Sequence, residues 1–195
     1  FIPRSGISDS GTFAMELSAS LTRPLSDQEF SAMGAVEPWG VLSTRPLGAT
    51  VRLTPDRRVM IRNTAEYRSR DLSNSELEQR RKHHVLGLQR RFPWLNEQDI
   101  QYTWTGHLSA SRSGQPYFAK VEAGIFAVAG CNGSGVARGT LWGRLLAELA
   151  TGASSPILTS VMHRAQPGWL PPRPLLDIGA MLRMRVEAVR ARTEV

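Results

Sequence analysis

From Met15 to Arg23 apolar and polar residues alternate with the period of a half-buried strand, and Pro24 closes the run. Ser26-Asp27-Gln28-Glu29 has the spacing of a capping box and predicts a short helix ending near Gly34. Strand patterns return at Val41–Thr44 and Thr50–Leu53. Thr54-Pro55-Asp56-Arg57 is turn chemistry between Val51/Leu53 and Val59/Ile61, so an antiparallel hairpin is expected there. Ser73-Asn74-Ser75-Glu76 is a second capping box. After it, Leu77, Arg81, His84, Val85, Leu88 and Phe92 recur on one helical face until Pro93 stops the helix. Ile100–Gly106 reads as a strand with Tyr102 and Trp104 on one side, followed by a polar loop. Pro167, Pro171, Pro172 and Pro174 break the later chain until a last helix over about Leu175–Arg192.

The pattern between Gly124 and Leu146 carries the chemistry. Ile125, Phe126 and Val128 form an apolar run, the signature of a strand covered on both faces. Gly130, Gly133 and Gly135 then allow a tight turn and a close ligand approach. A helix follows, with Gly139, Gly143, Ala147 and Ala150 on one side and Leu141, Leu145 and Leu149 on another, the pattern of a buried helix packed on a sheet. Its free N–H groups and positive dipole end would face the turn, which suits an anionic or electron-rich cofactor atom. A glycine turn with a packing role fits the same pattern.

Composition narrows the class. The chain has 195 residues, 41% hydrophobic and 21% charged, as in a soluble globular protein of one good-sized or two small domains. No apolar run reaches the roughly 20 residues a membrane span requires. The start, Phe1-Ile2-Pro3-Arg4-Ser5-Gly6, lacks Met and a signal pattern, so a processed chain or a fragment is expected. The single cysteine, Cys131, excludes an internal disulfide and fits a reducing, cytoplasmic compartment. The net charge of +7 is spread over many elements, without the aromatic-basic face of a specific nucleic-acid binder. A solvated surface accounts for it, as would a basic binding module whose glycine loop is purely structural.

Other chemistries fit poorly. Gly133, Gly135 and Gly139 loosely resemble a dinucleotide fingerprint, but no second strand and no acidic residue about 20 positions on complete a βαβ unit. His83 and His84 are adjacent, so they diverge on a helix, and His107 and His163 have no ligand-spaced partner. No metal site is expected. Nucleophile elbow and Walker loop are both missing.

Gly130-Cys131-Asn132-Gly133-Ser134-Gly135-Val136, then Gly143-Arg144-Leu145-Leu146-Ala147-Glu148-Leu149 and Gly152, resembles the C-terminal signature of the FAD-dependent D-amino-acid-oxidase superfamily. The likeness is to glycine/sarcosine oxidase and γ-glutamylputrescine oxidoreductase-like members. Thr22-Arg23-Pro24-Leu25, Arg52-Leu53-Thr54-Pro55-Asp56-Arg57-Arg58, Phe92-Pro93-Trp94-Leu95 with Trp104-Thr105-Gly106, and Leu170-Pro171-Pro172-Arg173-Pro174-Leu175 follow the family's order. The N-terminal Gly-x-Gly-x-x-Gly unit is absent. Ser134 stands where many members carry His, and Ala137 where sarcosine oxidases carry a substrate-contacting Lys.

The resemblance implies an α+β fold. An antiparallel-sheet substrate portion would occupy residues 1–107. A strand, glycine loop and helix over 108–152 would return to cover the flavin of an FAD-binding domain whose N-terminal Rossmann part is absent. A Pro-rich tail and helix would fill 153–195. It further implies hydride transfer from an amine or amino acid to FAD, with the missing N-terminal half as partner. The expected cofactor contacts are Asn132, Gly133, Ser134, Gly135 and Val136, with Ser113 and Gln115 lining the loop near the ring. Since no cysteine lies in residues 108–118, non-covalent flavin is expected. Arg52 is the candidate for a substrate carboxylate, which guanidinium pairs bidentately; a surface hairpin arginine is the competing reading.

Overall fold

A computed structural model of the chain describes residues 11–194 apart from Ser69 and Ala165. The reading of the segment Phe1–Gly6 lies outside the described residues. Two compact units emerge. A sheet unit comprises Glu16–Gly106 and the segment from Ile178 on, and a loop unit comprises residues up to Met15 and His107–Asp177.

The sheet unit is built on a five-stranded sheet of order β2-β3-β4-β1-β5. Its strands are β1 (Thr12–Thr22), β2 (Trp39–Leu42), β3 (Thr50–Leu53), β4 (Val59–Tyr67) and β5 (Ile100–Ser111). The ends of β1 and β5 run on into the loop unit. β2, β3 and β4 pair antiparallel, with Val51 opposite Ile61 and Arg52 opposite Met60. The expected hairpin turn closes as Arg57 N–H donates to the Thr54 carbonyl at 2.9 Å, with Arg57 at φ 58°. Helix α1 (Asp27–Ala32) starts at the expected capping box, Ser26 N–H donating to the Glu29 carboxylate at 2.7 Å.

Helix α2 (Asn74–Gln89) covers one sheet face. Val85 and Leu88 pack with Val51, Leu53, Val59, Ile61, Leu95 and Ile100. This is the apolar helical face legible in the sequence. Its close approach depends on Gly87, where an added Cβ would lie 2.3 Å from Asn63 Nδ2 and 2.8 Å from Ile61 Cδ1. His84 pins the same helix to the sheet. It is fully buried, with Nδ1 2.7 Å from Ser20 Oγ and Nε2 3.1 Å from Thr64 Oγ1 and 3.2 Å from Ser18 Oγ. Burial, reinforced by His83 and Arg80, lowers its pKa to about 4, so the ring is neutral at pH 7.

The loop unit holds a second, antiparallel pair, β6 (Tyr117–Glu122) and β7 (Ile125–Ala129), joined through Gly124 at φ 77°. Helices α3 (Gly135–Thr151) and α4 (Pro156–Met162) contribute to its small core of Phe118, Leu145, Leu158 and Val161. Gly152 ends α3 in the left-handed region at φ 74°. The last helix, α5, spans Leu175–Arg190.

Several elements differ from the sequence reading. β2 starts two residues earlier than Val41, at Trp39. The expected polar loop after Gly106 is strand as far as Ser111, and Tyr117–Glu122 is a strand as well; their mixed polar and apolar residues sit in partly exposed ladders that show no clean alternation. β7 is half-exposed rather than covered on both faces, with Ile125 44% exposed. Helix α3 is not buried: only Trp142 and Leu145 are, and nothing lies within 4 Å of a Cβ added at Gly139 or Gly143. Helix α4 lies where only a Pro-rich tail is expected; Ser155 caps it and Pro156 holds its first position, a recognisable start. The segment 153–195 contributes to both units.

Candidate active site

The glycine turn between β7 and α3 is built by backbone geometry that its residue types permit. Gly130 and Gly133 lie at φ 79° and 81°, where L side chains are strained. Asn132 lies at φ 49°, and asparagine is among the few residues that tolerate this region. Gly135 has no positive φ; a side chain there would instead press on Cys131, whose Cβ is 3.3 Å from the added Cβ.

Asn132 is the brace of the site. Its Nδ2 donates to the carbonyls of Gly130 at 2.7 Å and Gly114 at 3.2 Å, while its Oδ1 accepts from Ser111 N–H at 2.9 Å. Ser111 Oγ in turn donates to the Gln115 carbonyl at 2.7 Å, and Gln115 N–H donates to Ser113 Oγ at 3.3 Å. The structure therefore brings the Ser113–Gln115 loop and the glycine turn together. It spends the Asn132 side chain on holding them rather than on facing outward.

Beyond the brace, the turn is open. Nothing lies within 4 Å of a Cβ added at Gly133, and Val136 is 92% exposed. Ser134 is the N-cap residue of α3 but makes no side-chain cap bond, and its N–H donates back to the Cys131 carbonyl at 2.9 Å. The outward donors are thus the first-turn N–H groups from Gly135 on, without Ser134. An open glycine surface beside uncapped helix donors fits an anionic or electron-rich ring edge.

Arg52 belongs to the sheet unit. It is exposed, on the face opposite Val51 and Leu53, with its Cγ 3.3 Å from a Cβ added at Gly40. That face is free of α2. Thr103 on β5 faces Ser20, on the α2 side, at 2.9 Å, so Tyr102 and Trp104 project to the same face as Arg52; they are 53% and 43% exposed. Sequence reasoning missed Arg62. Thr50 pairs with Arg62 as Arg52 pairs with Met60, which sets Arg62 on the Arg52 face, and it donates to Thr50 Oγ1 at 2.8 Å and to the Gly48 carbonyl at 3.1 Å. The alternation of Val59 and Ile61 with Met60 and Arg62 was the signal for it.

The family model for "FAD dependent oxidoreductase" matches residues 12–149. The chain belongs to that family. Its cofactor is accordingly FAD. Gamma-glutamylputrescine oxidoreductase from Escherichia coli (strain K12) is 35% identical over 101 residues, covering 52% of this chain and 22% of that protein. Glycine oxidase from Geobacillus kaustophilus matches in structure with a TM-score of 0.54 at 18% identity, over 80% of this chain and 39% of that one. A glycine oxidase from Bacillus cereus ATCC 14579 aligns with a TM-score of 0.49 at 15% identity, over 76% and 39% of the two chains. The mixed fold with antiparallel sheets is shared with the Geobacillus enzyme. The chain spans about a fifth of the curated relative and two fifths of the solved structures it matches.

Proposed function

We propose that this chain is the C-terminal portion of an FAD-dependent oxidoreductase that oxidises an amine or amino acid. The observation that carries the proposal is the open glycine turn at the head of α3, knitted by Asn132 to the Ser113–Gln115 loop and lying within the segment matched to the family. Bound non-covalently, FAD supplies the acceptor for hydride from the carbon that bears the substrate nitrogen.

The chain's own residues position and polarise. The N–H groups of Gly135 and Val136, with the positive end of α3, would hold an electron-rich edge of the cofactor and favour negative charge on it. Gly133 leaves room for a ring to approach the backbone. Ser113 and Gln115 border the turn. On the sheet unit, Arg52 offers a planar fork to a substrate carboxylate, and Tyr102 and Trp104 on the same sheet face offer apolar walls. The arrangement of the arginines supports a flavoenzyme over a basic nucleic-acid module. Many are committed to internal carboxylates: Arg68 and Arg70 to Glu76, Arg80 to Glu66, and Arg23 to Glu29 and Asp99. An FAD-binding half is the expected partner, and the single Cys131 supports a cytoplasmic compartment.

Flavin content and turnover of the longer protein containing this chain test the reading. Gly124→Val, equally open and at φ 77°, gives the cost of backbone strain alone; Gly133→Val should lose a similar amount of melting temperature and, unlike it, empty the flavin site. Full flavin load and unchanged turnover in that variant would leave the turn a packing element. Arg52→Lys keeps the charge but loses the bidentate fork, so kcat/KM for a carboxylate-bearing substrate should fall on the order of ten- to a hundredfold. It should hardly change for an amine without the carboxylate. Equal values for both substrates would remove Arg52 from the site.

A further inference from the structure

Helix α5 has two opposed faces, and only one is used. Met184, Glu187 and Ala191 turn inward; Glu187 is 8% and Ala191 0% exposed. The reverse face carries Ile178, Leu182, Val186 and Val189, exposed by 49%, 57%, 47% and 72%. At 100° per residue those four fall within an arc of roughly 80°. They form one apolar stripe along the outer side of the helix. Arginines border it on both sides: Arg185 and, just past the helix end, Arg192 along one margin, Arg183 and Arg190 along the other, all exposed. Arg183 and Arg190 each reach the Glu187 carboxylate, at 2.8 and 3.1 Å, which fixes that margin at the helix surface.

We propose that α5 is a membrane-surface element that lies in the interface of an anionic bilayer, its Ile178–Val189 stripe among the acyl chains and Arg185 and Arg192, the marginal arginines not paired to Glu187, on lipid headgroups. The charge pattern chooses this occupant. A second copy packed stripe to stripe would set basic margins against basic margins, whereas an anionic surface complements both at once. The helix would lie on the bilayer rather than cross it. Among the described residues no single helix is long and apolar enough to span a membrane. Arginine stems suit this placement because they bury their methylenes while the guanidinium stays at headgroup level. The chain's net charge of +7 adds a long-range attraction to the same surface.

Sedimentation with vesicles tests it, read without any flavin signal so that it stands apart from the oxidoreductase reading. The full chain is mixed with vesicles of phosphatidylcholine alone and of phosphatidylcholine with phosphatidylglycerol. Binding to the anionic vesicles, tighter than to neutral ones by on the order of tenfold or more, is expected. The double substitution Leu182→Glu/Val189→Glu should abolish it with unchanged circular dichroism and melting, since both side chains face outward. Arg185→Gln/Arg192→Gln should lower anionic binding several-fold and leave weak neutral binding in place. Three outcomes would overturn the proposal: no sedimentation with either vesicle, equal sedimentation with both, or a concentration-dependent dimer that the glutamate variant dissolves while vesicles capture nothing.

Discussion

Helices α2 and α3 are nearly the same length, 16 and 17 residues, yet they end in opposite ways. The first-turn donors of α2 are answered from its own sequence: Ser73 Oγ accepts from Glu76 N–H, and the Glu76 carboxylate accepts from Ser73 N–H at 2.9 Å. Arg70, together with the Ser73 N–H and Arg68, holds that same carboxylate well below the usual range. At α3 the N-cap serine makes no such bond and the first turn stands open. Their flanks differ in the same sense. α2 buries His84, Val85, Gly87 and Leu88 against the sheet, whereas α3 buries only Trp142 and Leu145. A helix that satisfies itself is scaffold. One that leaves its first-turn donors and its small-residue side open fits the cofactor-facing role proposed for the glycine turn.

The sharpest break in this comparison comes from the α2 core. Leu88 is 1% exposed, so Leu88→Ala should cost about 2–5 kcal/mol by lost burial and the cavity left behind. Leu141 on α3, 40% exposed, should cost well under that as alanine. Urea denaturation of the two variants checks both; equal losses would mean that α3 is packed as tightly as α2.

Next is the pH dependence that His84 brings to the α2 side alone. Its pKa of about 4 lies below the ordinary 6.5 of an unfolded histidine, so the folded state favours the neutral ring. That contribution is fully present above pH 6.5 and is lost as the pH falls from 6.5 through 4. It amounts to about 3 kcal/mol. Stability measured between pH 7 and pH 4 should fall, and His84→Gln should flatten that slope while lowering stability at pH 7. A wild-type slope that survives in the variant would assign it to carboxylates instead.

Much of this contrast is legible in the residues, and what is not has physical causes. Both capping boxes, the Thr54–Arg57 turn and the Leu77–Phe92 face are local patterns, and they fold as local patterns. The glycine turn was legible because positive φ selects glycine and asparagine. The β6 strand and the continuation of β5 past Gly106 were not, because partly exposed ladders blur the period of two. The exposure of α3 was also illegible: small residues mark close packing equally well when the packed surface lies outside the chain. Asn132 as brace and Ser111 as its partner depend on a loop that returns twenty-one residues apart in sequence, a closure no local pattern encodes.

A same-residue test sharpens the difference further. Gly87→Ala in α2 puts a Cβ within 2.8 Å of Ile61 and closer still to Asn63, so the helix must shift, at a cost of about 1–3 kcal/mol. Gly143→Ala in α3 meets nothing within 4 Å and should instead stabilise the isolated chain by about 1 kcal/mol through helix propensity. Opposite signs in thermal melts are expected. Two losses of similar size would show that a neighbour fills the space beside Gly143.

The smallest effect separates the two N-caps. Ser73→Ala removes a side-chain acceptor and should cost about 1 kcal/mol. Ser134→Ala removes a hydroxyl that caps nothing, while the backbone bond from its N–H to Cys131 remains, so the melting temperature should stay within error. Flavin load in the longer protein should stay unchanged too, because the outward donors are those of Gly135 and Val136 and belong to the backbone. If Ser134→Ala cost as much as Ser73→Ala, the hydroxyl would be capping α3 in solution. The two helices would then differ in their packing but not in their ends, and the open first turn of α3 would no longer distinguish the cofactor site from the scaffold.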